Sequence, residues 1–202
     1  MANPPDSGST GTPVPVDFNR LKIQAACKQS AFYFIDQLCQ LYTATSDNGG
    51  GEWSAFTIWP FQIEALDTID QNRFVIILKA RQLGFTWLVA AYALWLMIFR
   101  PIATILIFSK GDEEAKELLK RLTDMYDRLP DWMKCQRDGN KHELSLDNGS
   151  RALSFPTTAG ESYTATMAII DEADKLPHST TPGGKLAEMI TRIKPTVDAG
   201  GK

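Results

Sequence analysis

The residues of this chain with most chemistry to offer are Lys79, Gly84 and Thr86, together with the acidic pair Asp171 and Glu172. The first three fall within the eight-residue run Lys79-Ala80-Arg81-Gln82-Leu83-Gly84-Phe85-Thr86. A β-branched and apolar run, Phe74 to Leu78, precedes it, and from Trp87 the chain is apolar almost all round. This pattern predicts a strand buried on both faces, a glycine loop and a buried helix. Such a loop can hold phosphate, because amide N–H groups and the helix dipole both favour an anion at a helix N-terminus. The general phosphate-loop pattern is Gly, four residues, Gly, Lys, then Ser or Thr. Gly84 and Thr86 fit it, whereas Lys79 replaces the first Gly and Phe85 takes the usual lysine position. The Thr86 hydroxyl can ligate Mg²⁺, and Lys79 can supply a cation from the front of the loop. The plainer alternative is an ordinary strand-to-helix turn.

A second run, Met167-Ala-Ile-Ile-Asp171-Glu172-Ala-Asp174, predicts another buried strand that ends in carboxylates. An aspartate there can hold hydrated Mg²⁺, and the glutamate beside it can polarise an attacking water. Open α/β sheets bind ligands at the carboxyl ends of their strands, where both runs fall. Gln62, 17 residues before Lys79, adds a side-chain amide that can both donate to and accept from an adenine edge.

KARQLGFT followed by MAIIDEAD resembles the ATPase domain of the large terminase subunit of tailed phages, from about Trp53 to the C-terminus. The resemblance implies an α/β P-loop NTPase of the additional-strand type, mostly parallel and flanked by helices, with a β-hairpin insertion. It implies ATP and Mg²⁺ as cofactors, with a deviant Walker A loop and a Walker B strand. The nucleotide would be held by Gln62, Lys79, Ala80, Arg81, Gln82, Leu83, Gly84, Phe85 and Thr86. Thr86 and Asp171 would hold the metal. Glu172 would orient the water, and Arg81 would stabilise transition-state charge. The implied partners are double-stranded DNA, a portal protein, a small terminase subunit and further copies in a ring on the procapsid. The implied setting is the cytoplasm of an infected bacterium, not the mature virion. In the family a coupling strand and a nuclease domain follow; this chain stops at Lys202 without either, so it reads as a truncated ATPase domain.

The remaining elements must position these residues. The expected organisation is a disordered segment over 1–17, a helical extension and glycine-rich loop over 18–52, and an incomplete ATPase domain over 53–202. Met1 to Val16 is rich in Pro, Gly, Ser and Thr. One helix is expected over Phe18 to Tyr42, with Leu21, Ala25, Phe32, Ile35, Leu38 and Tyr42 near one face, then a flexible loop over Asp47 to Gly51. Pro60 opens a helix through Ile69. Ala103 to Phe108 is a core strand, and Ser109 is expected to cap the next helix, whose apolar stripe runs Ala115, Leu118, Leu119, Leu122, Met125, Tyr126 and Leu129. His142 to Phe155 reads as a hairpin turning at Asn148-Gly149 in type I′. That register places Leu144, Leu146, Leu153 and Phe155 on one face. Thr157 to Thr166 is a linker, His178 to Gly184 a loop, and Lys185 to Ile193 a short helix.

Composition narrows the class. With 44% hydrophobic and 22% charged residues, 202 residues suffice for one α/β domain with a substantial core. A net charge of −3 gives no global basic field, which leaves DNA contact to a local patch. Three scattered cysteines do not make a disulfide framework. The uncharged stretch Leu83 to Phe99 is short for a membrane span and reads as a core helix. Two rivals remain. A helicase is suggested by Asp171-Glu172-Ala173-Asp174, though the loop lacks Gly-Lys-Thr. A non-catalytic nucleotide-binding or assembly module is suggested by Phe85.

Overall fold

The computed structural model describes residues 17–44, 50–156, 163–176 and 183–198. The expected N-terminal disorder, most of the Asp47–Gly51 loop, residues 157–162 of the linker and most of the loop after Asp174 lie outside these. Among the described residues, six α-helices surround a five-stranded mixed sheet, and a two-stranded hairpin stands apart.

The expected single N-terminal helix is two helices and a strand: α1 (Phe18–Gln29), α2 (Ala31–Leu38) and β1 (Gln40–Ala44). Ser30 makes the break. Its backbone is extended (φ −140°, ψ 114°), its N–H closes α1 on the Ala26 carbonyl, and its hydroxyl accepts the Tyr33 N–H to start α2. The break re-aims the chain, so that Cys27, Ala31, Phe34, Ile35 and Cys39 are buried, while Leu21, Ala25 and Phe32 face solvent. β1 then pairs antiparallel with β2 (Gly51–Ala55). Trp53 of that hairpin stacks edge-on against Trp87 and lies 3.5 Å beneath the Arg128 guanidinium, a cation–π contact that pins the hairpin to the helices.

α3 (Pro60–Gln71) opens on Pro60 as expected. α4 (Phe85–Phe99) is the buried apolar helix, with Phe85, Leu88 and every residue from Ala90 to Met97 buried. β3 (Thr104–Phe108) is buried throughout. α5 (Asp112–Arg128) buries the whole predicted stripe and carries Asp112, Glu113 and Glu114 in its first turn. Its N-cap is Gly111, and Ser109 is instead a buried residue of the preceding loop. The helix begins too far along for the Ser109 hydroxyl to reach its first amides.

The sheet order is β4 (Arg137–Asn140), β5 (Glu143–Leu146), β6 (Arg151–Phe155), β3, β7 (Met167–Ile170). β3 runs parallel to both β6 and β7, and β4, β5 and β6 are antiparallel. The hairpin is therefore part of the central sheet, not an insertion. Its register also differs from expectation by one residue. Leu146 N–H bonds the Ser150 carbonyl, Gly149 N–H bonds the Leu146 carbonyl, and Gly149 alone in the turn is left-handed (φ +85°). That is a three-residue loop ending in a glycine, which shifts pairing by one relative to a two-residue turn. Leu144 thus opposes Ala152, and Leu153 crosses to the far face. β6 can bury both faces because it lies inside the sheet.

Alternation along the strands divides the core in two. Ile105, Ile107, Leu144, Leu146, Ala152, Met167 and Ile169 pack toward α4 and α5. Leu106, Phe108 and Leu153 pack toward α6 (Lys185–Asp198), through Met189, Ile193 and Val197. The result is helix, sheet and helix in three layers.

One strand expectation fails. Among the described residues, Phe74 to Leu78 forms no strand and belongs to no sheet. Phe74, Ile76 and Leu78 are 58%, 97% and 101% exposed, while Val75 and Ile77 rest on the core. The segment has the alternation of a strand with one face covered. Among the described residues no strand pairs with it, and β7 ends the sheet.

Candidate functional site

The loop between Leu78 and α4 closes on Gly84, the N-cap residue, which is left-handed at φ +71°. A Cβ there would lie 2.8 Å from Gln62 Nε2. Glycine is thus required twice over, by backbone conformation and by space. Gln82 is also left-handed (φ +64°), so the loop makes two sharp reversals before the helix.

Gln62 is 97% buried, and its amide is engaged at both ends. Its Nε2 donates to the Leu83 carbonyl at 2.9 Å, and its Oε1 accepts the Trp59 N–H at 3.0 Å. It ties the start of α3 to the loop, a bridging role that the sequence alone does not reveal. Phe85, at the position where a lysine is usual, points into the core and packs on Phe61 at a ring separation of 5.7 Å. Lys79, Ala80, Arg81, Gln82 and Leu83 are exposed, leaving Lys79 and Arg81 as the loop's cations. No side chain caps α4, so its first-turn amides lack partners within the helix.

Half-buried Thr86 faces the end of β7. Its Oγ1 lies 3.1 Å from Asp171 Oδ2, a hydrogen bond spanning 85 residues. Asp171 Oδ1 accepts the Glu172 N–H at 3.0 Å, which fixes the carboxylate's orientation. Glu172 is left-handed (φ 52°, ψ 37°) and caps a single 3₁₀ turn, Ala173–Lys175. For a non-glycine residue that conformation costs about 1–2 kcal/mol. Its carboxylate meets Lys175 at 2.6 Å and Lys110, beyond β3, at 2.9 Å. Those two ammonium groups, Lys175 foremost, hold its pKa below the usual carboxylate value against a smaller opposing effect of burial. The geometry therefore brings Thr86, Asp171 and Glu172 together. Lys110 and Lys175 are site neighbours that the motifs did not flag: Lys110 reaches Glu172 through the β3–β7 pairing, and Lys175 through the local turn three residues on.

The same span is where the chain matches a known family. Residues 76–185, just over half of the chain, match the family model of the terminase large subunit, T4likevirus-type, N-terminal. The chain belongs to this family. A search of curated proteins finds no match. The match covers the loop, Thr86 and the acidic end of β7, whereas Gln62, α1–α3 and the β1–β2 hairpin of this terminase chain precede it. No helix among its described residues is long and apolar enough to cross a membrane.

Proposed function

We propose that this terminase chain binds and hydrolyses ATP with Mg²⁺, as a motor domain of the additional-strand P-loop class that drives double-stranded DNA into a procapsid. The reading rests above all on the Thr86–Asp171 contact, which joins the glycine loop to the acidic strand end inside the family's span. The donor set suits the cofactor. A hydroxyl and a carboxylate are hard oxygen ligands of the kind Mg²⁺ prefers. Free first-turn amides of α4, with Lys79 and Arg81 exposed beside them, suit a polyphosphate.

In this reading, Lys79 and the backbone from Ala80 to Phe85 hold the phosphates. Thr86 and Asp171 hold the metal. MgATP supplies the phosphoryl group, and Glu172 orients water toward it. Arg81 offsets charge that develops on the transferring group. Gln62 acts by holding the loop against α3, and so supports the nucleotide through the loop's shape. Further copies in a ring, a portal protein and a small subunit complete the assembly proposed here.

Calorimetric titration with MgATP, paired with phosphate release, tests this. Glu172→Gln should lower turnover by about 10²–10⁴-fold, the usual contribution of a positioned base, while ATP affinity stays near that of the wild type. Lys79→Ala should weaken ATP binding. Undiminished hydrolysis in Glu172→Gln would refute the assignment, and no heat in any of the three proteins would favour an assembly module.

A further inference from the structure

Three places in the sequence set an asparagine or aspartate before glycine: Asn48-Gly49, Asp138-Gly139 and Asn148-Gly149. Such pairs can react with themselves, because the glycine amide nitrogen has no neighbouring Cβ to shield it from the side-chain carbonyl carbon. In an unfolded chain the asparagine pairs are the faster, since an amide carbon is more electrophilic than that of a carboxylate. The first pair lies outside the described residues. The fold treats the other two in opposite ways.

Asn148 is half-buried and held at each polar atom that the reaction must move. Its Nδ2 donates to the Met97 carbonyl at 2.8 Å, and its Oδ1 accepts the Ser150 N–H at 2.9 Å. The Gly149 N–H donates to the Leu146 carbonyl at 3.0 Å. Attack on the side chain would break all three bonds.

Asp138 is placed the other way. It lies on β4, the outermost strand beside β5, which is exposed at every residue. The two-residue turn Lys141-His142 makes Asn140 and Glu143 a hydrogen-bonded pair, so alternation leaves the N–H of Gly139, opposite Leu144, outside the ladder. That N–H turns back on its own neighbour and donates to Asp138 Oδ1 at 2.7 Å. The attacking nitrogen thus rests against the carboxyl group it must attack. Asp138 also lines an open polar hollow with Gly139, Asn140, Glu143 and Ser145, which admits water. Strand packing itself keeps the reactive pair, because a Cβ at residue 139 would collide with the Glu143 carbonyl oxygen.

We propose that Asp138-Gly139 is a site of spontaneous isoaspartate formation in the folded chain, and that the fold shields Asn148-Gly149 from the same chemistry. The Gly139 nitrogen bonds to Asp138 Cγ, and its proton leaves with the carboxyl hydroxyl as water. A succinimide ring results. Water then adds to either ring carbonyl: opening at Cγ restores aspartate, and opening at the former peptide carbonyl leaves the chain running through Cγ, as isoaspartate. No oxidant or other reagent takes part. The product carries one extra backbone carbon between residues 138 and 139. Because Arg137 is tied to Asp127 by two bonds of 2.7 Å, the slip passes toward the turn and loosens the pairing of Gly139 and Asn140 with β5.

Peptide mapping of the full chain after prolonged incubation tests this, with one sample native and one in guanidinium. Isomerisation at Asp138 shifts peptide retention without changing mass, whereas deamidation at Asn148 or Asn48 changes mass, on separate peptides. The ratio of native to denatured rate should be near or above one at Asp138. At Asn148 it should fall about tenfold to a hundredfold, the population cost of breaking its hydrogen bonds. Asp138→Glu, which cannot close the five-membered ring, should abolish the product at that position and leave Asn148 unaffected. A native rate at Asp138 suppressed as strongly as that at Asn148 overturns the proposal, as does a retention shift that persists in Asp138→Glu.

Discussion

At the scale of single residues, Gly84 carries the most consequence for its size. Its positive φ and the nearby Gln62 amide leave no place for a methyl group. Gly84→Ala should therefore lower stability by about 1–2 kcal/mol from conformation alone, with further loss as Gln62 is displaced. Urea unfolding measures the first effect. A drop in ATP affinity, larger than in a surface control, measures the distortion of the loop. Gln62 shows how a residue can be found for one reason and matter for another. Its spacing ahead of the loop suggested a base-reading amide, yet the fold engages both ends of that amide with backbone. Sequence supplies a donor and an acceptor, and only packing decides what they meet.

At the scale of elements, legibility followed how local each signal was. The α5 stripe, the Pro60 helix start and the apolar helix α4 are set by short-range periodicity, and all three formed where expected. The N-terminal segment breaks in two because Ser30 serves as stop and start at once, while the apolar spacing across it still looks helical. The hairpin loop is one residue longer than its Asn-Gly pair predicts, which is enough to move Leu153 from one core to the other. Phe74 to Leu78 has the composition of a buried strand, but composition does not supply a neighbour. Two substitutions contrast these cases. Leu122→Ala, in the fully buried stripe, should cost about 2–5 kcal/mol. Ile76→Thr should change stability by less than about 0.5 kcal/mol, since Ile76 touches little. A loss of several kcal/mol at Ile76 would mean the segment is packed after all. In the site itself, the motifs brought out Thr86, Asp171 and Glu172. Lys110 became visible only once β3 lay beside β7, and Lys175 only once the chain turned just after Glu172.

At the scale of the whole molecule, the N-terminal helices are joined to the sheet domain through α4. The Trp95 indole donates to the Cys27 carbonyl at 2.8 Å, and Cys27 and Cys39 are both buried in the larger core. Burial pushes the Cys27 thiol up to about 11 and raises Cys39 further, with the neighbouring Cys27 adding to the effect. At pH 8 the Cys27 thiolate fraction is then about a thousandth, so alkylation of the native chain should be confined to half-buried Cys135. All three thiols should react in denaturant. Early labelling of Cys27 or Cys39 would show that the helical layer undocks. Because folding raises this thiol's pKa, its contribution to stability is intact below the ordinary value of 9.0. It is lost as pH rises through about 11, and a falling denaturation midpoint over that interval measures it.

The bare ribbon from Phe74 to Leu78 has a practical side for anyone handling the isolated chain. Phe74, Ile76 and Leu78 project their apolar side chains into solvent, and among the described residues no strand pairs with the segment. Surfaces of that kind recruit other chains edge to edge. An exposed apolar row of that kind should favour self-association at high concentration, and light scattering that falls on Ile76→Lys would measure it.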